Sequence, residues 1–84
     1  MSYYIYLVEC SDRSYYCGYT NDLKKRIETH NKGTGGKYTK RRLPVELIYS
    51  EEFETRSEAM KRECAIKKFS RKQKEELVRG IKYI

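Results

Sequence analysis

Tyr6 and Tyr16 stand ten residues apart in two tyrosine-rich runs, Tyr4-Ile5-Tyr6-Leu7-Val8 and Tyr15-Tyr16-Cys17-Gly18-Tyr19. Arg26 and His30 follow, four residues apart on what reads as the next helix, so they share one helical face. Phenols, a guanidinium and an imidazole converging on one point suit a phosphate. Arginine grips non-bridging oxygens in bidentate fashion, and His or Tyr can move a proton. On a later helix Glu63 is surrounded by Ala59, Met60, Ile66 and Lys67 at spacings of three and four, so its carboxylate projects from or beside the packing face. A half-buried carboxylate must be paired, protonated or bound to a cation. Arg26 and Lys67 are the candidate ion-pair partners.

The ordered set Tyr6, Tyr16, Gly18, Arg26 and Glu63 resembles the GIY-YIG nuclease family. Tyr4-Ile5-Tyr6 stands in the place of the first tripeptide and Tyr16-Cys17-Gly18 in the place of the second. Tyr4 replaces the first Gly and Cys17 the second Ile, while both tyrosines and the expected turn glycine, Gly18, are kept. In length, and in Lys37-Tyr38-Thr39, Leu43-Pro44 and Ile66-Lys67, the chain is similar to the small stand-alone members of the YhbQ-like group.

The resemblance implies a metal-dependent endonuclease that hydrolyses DNA phosphodiester bonds, with structure-selective cleavage in DNA repair or recombination as its setting. It implies that Glu63 is the metal ligand, holding one Mg²⁺ or Mn²⁺ whose other positions are filled largely by water. Arg26 would clamp the phosphate, Tyr16 would take the proton from the attacking water, and Tyr6 would position water or phosphate. A phenol titrates near ~10 and is a poor base at neutral pH unless a neighbouring cation favours phenolate. His30, at a position where family members carry His or Tyr, is therefore a rival base. The alternative function is a non-catalytic nucleic-acid-binding module on the same fold.

These residues need a scaffold. The first strand is expected over Tyr3 to Cys10 and the second over Tyr15 to Tyr19, joined by turn chemistry in Ser11-Asp12-Arg13-Ser14. Pairing Cys10 with Tyr15 through a tight turn would put Tyr6 and Tyr16 on opposite faces of the sheet. Pairing Cys10 with Tyr16 would put them on one face. A shared site requires the latter parity, through a longer turn or a bulge. Thr20 or Asn21 should cap the first helix, with Leu23 and Ile27 on its core face and Arg26 and His30 at the half-wet edge. The helix should end near Lys32-Gly33. Asn31 reads as a structural residue there.

Thr34-Gly35-Gly36 should make a flexible loop into the basic stretch Lys37-Tyr38-Thr39-Lys40-Arg41-Arg42, which either contacts phosphates or is an ordinary connection. Val45 to Phe53 reads as a third strand. Thr55 with Glu58 and Ser70 with Gln73 are capping boxes opening two further helices, to about Phe69 and Arg79, before Gly80. The expected fold is a single α/β (α+β) domain over 1–84. Its three-stranded, mainly antiparallel sheet is flanked by helices in the order β-β-α-β-α-α.

Nineteen Lys and Arg against 12 Asp and Glu give a net charge of +7, which points to a polyanion partner, most simply DNA. Lys37, Tyr38, Lys40, Arg41 and Arg42 form one expected nucleic-acid-binding group, and Lys67 and Arg71 belong to another. Lys67 could equally serve as a salt-bridge partner of Glu63. Three cysteines, Cys10, Cys17 and Cys64, lack disulfide-framework or zinc spacing and read as reduced cytosolic thiols. With no membrane-spanning run or signal core, a cytoplasmic monomer or weak dimer is expected. Substrate choice would then come from nucleic-acid shape or a protein partner. Tyr3, Tyr15, Tyr19, Tyr49 and Tyr83 are assigned to packing.

Overall fold

A computed structural model of the chain describes residues 2–80, so Tyr83 lies outside the described residues. The two tyrosine-rich runs are strands, β1 (Tyr3–Glu9) and β2 (Tyr15–Thr20). They pair antiparallel with Val8 opposite Tyr16 and Tyr6 opposite Gly18. The connection is the three residues Ser11-Asp12-Arg13. The Cys10 amide donates to the Ser14 carbonyl at 2.9 Å, and the Arg13 amide donates to the Cys10 carbonyl at 2.9 Å. Arg13 takes the left-handed conformation, φ 68°, that closes a three-residue hairpin. The Ser14 amide donates to the Asp12 carboxylate at 3.0 Å, holding the loop.

This turn decides the face of every side chain on β2. Cys10 faces Ser14 across the turn, two residues from the expected partner Tyr16, and a shift of two preserves parity. Tyr6, Val8 and Tyr16 consequently share one face.

The third strand, β3 (Glu46–Phe53), pairs antiparallel with β1, giving the order β2-β1-β3. A register shift falls between Leu7 and Val8. The central strand is covered on both sides, and Ile5, Tyr6, Leu7 and Val8 are all fully buried. One face, with Ile5, Leu7 and Cys17, packs against Ala59 and Ile66 of α3 (Arg56–Lys67) and Leu77 of α4 (Arg71–Val78). The other, with Tyr6, Val8, Cys10 and Tyr16, packs against Leu23 and Ile27 of α1 (Leu23–Asn31). Alternation along a strand thus sends Tyr6 and Leu7 into different layers.

Asp22 caps α1, accepting from the Lys25 amide at 3.1 Å. Thr20 acts one step earlier instead, accepting from the Asp22 amide at 3.2 Å. At the other end, Lys32 and Gly33 (φ 82°) close the helix as expected. Asn31 clamps the start of β3: its side-chain amide donates to the Val45 carbonyl at 3.1 Å, and its oxygen accepts from the Val45 amide at 2.7 Å.

The expected flexible loop after Gly33 contains a one-turn helix, α2 (Lys37–Lys40), that contacts α1. The Leu43-Pro44 peptide is cis. Thr55 caps α3 by accepting from the Glu58 amide at 3.2 Å, but the Glu58 carboxylate turns to the Thr55 hydroxyl rather than to its amide. The Ser70–Gln73 capping box of α4 is complete. Met60, expected on the packing face of α3, is 41 % exposed, which leaves Ala59 and Ile66 as the buried contacts of that helix. Among the described residues the three cysteines are free thiols, and no helix is long and apolar enough to cross a membrane.

Candidate nuclease site

Gly18 lies inside β2 rather than in a turn, and its importance is spatial. The Tyr6 ring lies across it so closely that a Cβ there would come within 2.6 Å of the Tyr6 ring carbon bearing the hydroxyl. The missing side chain lets the Tyr6 ring cross the strand toward α1. There the Tyr6 hydroxyl accepts from Arg26 Nε at 3.2 Å and lies 2.9 Å from His30 Nε2. His30 Nδ1 is 2.8 Å from Thr39 Oγ1.

A second glycine admits the loop. A Cβ on Gly35 would stand 2.5 Å from His30 Nδ1, so the backbone passes flush against the imidazole. The Gly35 carbonyl then accepts from Arg26 Nη2 at 3.0 Å. The glycine stretch is therefore tied to the site, whatever freedom its composition suggests.

The centre of this cluster is dry. Tyr6 and His30 are fully buried and Thr39 is 1 % exposed, whereas Arg26 and Tyr16 are half-buried. His30 thus departs from the half-wet edge position expected of it. Burial pushes the Tyr6 phenol above its ordinary range, and the Arg26 hydrogen bond and charge offset this only in part. Burial, followed by the Arg26 charge, holds His30 below its ordinary 6.5. Arg26 is held charged more firmly, first by its hydrogen bond to Tyr6. The guanidinium therefore does not make a phenolate of Tyr6. A neutral Tyr6, itself held against a neutral His30, and the Gly35 carbonyl carry it.

Tyr16 occupies the rim, its ring 5.6 Å edge-on from His30 and 5.7 Å from Tyr38 in a stack. Among the described residues its hydroxyl has no hydrogen-bond partner. Arg42 covers the Tyr38 ring at 4.0 Å, donates to the Tyr38 carbonyl at 2.7 Å and pairs with Asp12 at 3.1 Å. Arg42, expected among the phosphate ligands, is thereby engaged in holding α2 to the β1–β2 turn. Arg71 likewise pairs with Glu75 at 3.1 Å and lies 4.5 Å over the Tyr15 ring. Lys37, Lys40 and Arg41 are exposed and carry no ion pair among the described residues.

Glu63 approaches from the opposite layer. Its side chain is 15 % exposed, and its ion-pair partner is Lys67 at 3.7 Å rather than Arg26. Lys67 in turn lies 5.9 Å from the Tyr16 ring centroid, so the two layers meet around the edge strand β2. Between them the Cys17 thiol is pushed up to about 12 by burial and then by the Glu63 carboxylate. Among the described residues no group of three His, Cys, Asp or Glu side chains could hold a metal ion. One carboxylate fits only a cation that keeps most of its water, which is the habit of Mg²⁺.

The family model of the GIY-YIG catalytic domain matches residues 2–76. The chain belongs to the GIY-YIG family. The UPF0213 protein YazA of Bacillus subtilis is 57 % identical over 74 residues, covering 88 % of this chain and 75 % of that one. The UPF0213 protein SSP2268 of Staphylococcus saprophyticus is 57 % identical over 76 residues, covering 90 % and 93 %. Two solution structures are also similar. The E. faecalis protein EF2693 is 48 % identical with a TM-score of 0.66, covering 100 % of this chain and 92 % of that one. The UPF0213 protein BH0048 of Bacillus halodurans is 45 % identical with a TM-score of 0.60, covering 93 % and 83 %.

Within the GIY-YIG frame both departures from the family tripeptides have a place. Tyr4 is half-buried on β1, its hydroxyl 3.5 Å from Glu52. Cys17 is 3 % exposed in the core under α3, one apolar residue in the position of another. Four of the expected GIY-YIG site residues, Tyr6, Tyr16, Arg26 and His30, come together on one face, and Glu63 stands at the other side of β2. Sequence reasoning missed Thr39 and Gly35 as members of the cluster. Their only signal was a glycine pair running into a helical turn whose Thr is flanked by exposed Tyr38 and Lys40.

Proposed function

We propose that this GIY-YIG domain is an endonuclease that hydrolyses DNA phosphodiester bonds with one Mg²⁺ or Mn²⁺. The observation that carries the reading is Arg26, anchored by Nε to the Tyr6 hydroxyl and by Nη2 to the Gly35 carbonyl and within electrostatic reach of Tyr16, whose hydroxyl has no hydrogen-bond partner among the described residues. Two of the five guanidinium N–H bonds are spent on the anchor, and three remain for the non-bridging oxygens of a phosphate. Tyr16 positions the attacking water and, once its own phenol proton has passed to solvent, accepts one proton from that water. His30 is the weaker candidate for that base, because its ring is fully buried and both nitrogens already have partners. Glu63 would hold the ion, exchanging Lys67 for it, and Lys67 would turn to the phosphate backbone. A bound ion supplies charge relief at the phosphoryl and leaving oxygens.

Lys37, Lys40 and Arg41 track the backbone without reading bases. Selectivity then comes from nucleic-acid shape, as in repair or recombination intermediates, or from a protein partner. The test is cleavage of single-stranded, duplex, flapped and branched DNA and of RNA with Mg²⁺ or Mn²⁺, against Glu63→Gln and a chelator control. Products that depend on metal and vanish in the variant are expected. The Glu63–Lys67 pair favours a second reading, a non-catalytic nucleic-acid-binding module, because it satisfies the carboxylate without any metal ion. Intact substrates with salt-sensitive binding by wild type and variant alike would establish that second reading.

A further inference from the structure

A row of hydrogen bonds runs through the interior from α1 to α2. At one end stands Arg26 Nε, which can only donate, 3.2 Å from the Tyr6 hydroxyl. At the other stands the Gly36 carbonyl, which can only accept, 3.5 Å from Thr39 Oγ1. Between them the Tyr6 hydroxyl is 2.9 Å from His30 Nε2, and His30 Nδ1 is 2.8 Å from Thr39 Oγ1. Tyr6, neutral His30 and Thr39 each give one proton and take another.

The ends impose a direction on the middle. Arg26 donates to Tyr6, and the phenol proton has His30 Nε2 as its acceptor. The imidazole proton then lies on Nδ1 and goes to Thr39, whose own proton goes to Gly36. The opposite tautomer would aim two donors at Tyr6 and leave the phenol proton buried without an acceptor, a costly omission. Among the described residues no buried side-chain nitrogen or oxygen lacks a partner.

Thr39 is the member of this row that packing alone does not require. It is 1 % exposed between exposed Tyr38 and exposed Lys40, and a valine would fill the same volume. Only the hydroxyl can receive the Nδ1 proton. We propose that Thr39 is a positioning residue, which fixes the Nδ1–H tautomer of His30 and thereby turns a Tyr6 lone pair toward Arg26 to aim the guanidinium at the scissile phosphate. The last step rests on the nuclease reading; the tautomer does not.

The test uses the ¹⁵N-labelled full chain and long-range imidazole ¹H–¹⁵N spectra near neutral pH. Wild type is expected to carry its His30 proton on Nδ1, with Nε2 bare. Thr39→Val leaves an Nδ1 proton buried with no acceptor, so the proton should move to Nε2 and the phenol proton should turn away from His30 and displace Arg26, while Thr39→Ser keeps the proton on Nδ1. The Arg26 Nε–H should be protected from solvent exchange in wild type and Thr39→Ser. In Thr39→Val it should exchange about tenfold faster or more, the scale of one missing hydrogen bond. DNA cleavage should fall about tenfold in Thr39→Val and recover to within about twofold in Thr39→Ser.

A wild-type His30 protonated on Nε2, or on both nitrogens, overturns the proposal without any variant. So does a Thr39→Val protein with an unchanged tautomer. A tautomer switch with undiminished cleavage overturns the aiming of Arg26. A wild type that cuts no substrate, yet shows the switch, sinks the nuclease reading and leaves the Thr39 assignment standing.

Discussion

The Tyr6 ring lies across Gly18 on the neighbouring strand, in a space that any side chain at Gly18 would fill. This cross-strand pair sets the position of the Tyr6 hydroxyl, and through it the positions of Arg26 and His30.

Gly18→Ala should therefore overpack the α1 layer. We expect a loss of about 1–3 kcal/mol, the range for inserting a methyl group into a filled core. Urea unfolding measures it. If Gly18 served a turn conformation instead, alanine would leave the α1 layer unstrained, and Tyr6→Phe would not alter the cost. With the steric cause, Tyr6→Phe removes the hydroxyl that a Cβ meets first and leaves the ring carbon 2.6 Å away, so the cost of Gly18→Ala falls in part but not to zero.

Arg26→Lys should be nearly as damaging to cleavage as Arg26→Ala, costing roughly two decades or more in rate. Lysine offers a point charge and cannot bridge Tyr6, the Gly35 carbonyl and a phosphate at once. Single-turnover cleavage with saturating DNA is the measurement. A lysine variant close to wild type would mean that Arg26 acts by charge alone.

Stability should depend on pH through His30. Its folded pKa is depressed below 6.5, so between the two values the unfolded chain binds the extra proton. Stability is then fully present above 6.5 and declines as pH falls from 6.5 toward the folded value. Replacing His30 with Gln should flatten that slope, whatever it does to absolute stability. At the alkaline end Tyr6 works in the other direction. Its folded pKa is raised above 10, so stability is present below 10 and declines as pH rises past it. Denaturant midpoints measured across the pH range, for wild type and the His30 variant, check both signs.

Lys40→Ala and Arg41→Ala should weaken DNA binding and make it less salt-dependent, by up to about one unit of log–log slope for each phosphate left without its cation. Arg42→Ala should behave differently, because Arg42 is tied to Asp12 and to the Tyr38 ring and carbonyl. Its removal should loosen α2 and lower thermal stability, with a smaller change in salt slope. Fluorescence anisotropy across a salt titration separates the two. Equal slope changes for Arg41 and Arg42 would put both on the phosphate backbone.

Local chemistry determined much of this protein before folding. Strand-forming tyrosine runs, the Thr55 and Ser70 caps and the Gly33 and Gly80 stops depend on neighbours within a few residues, so element order could be read from them. The grouping of Tyr6, Tyr16, Arg26 and His30 also follows from local periodicity, once strand parity puts both tyrosines on one face. Tertiary structure decided what that order leaves open. The turn through Arg13 chose the register, and Gly18 and Gly35 became voids for Tyr6 and His30, because only contact across strands and layers distinguishes a spatial glycine from a turn glycine. Burial left Tyr6 and His30 neutral, and the fold gave Arg42 to Asp12 and brought Thr39 to His30 across nine positions of sequence, while the Glu63–Lys67 pair was already legible as an i,i+4 spacing. Desolvation and pairing between segments distant in sequence depend on three-dimensional distance, and no spacing along the chain encodes them.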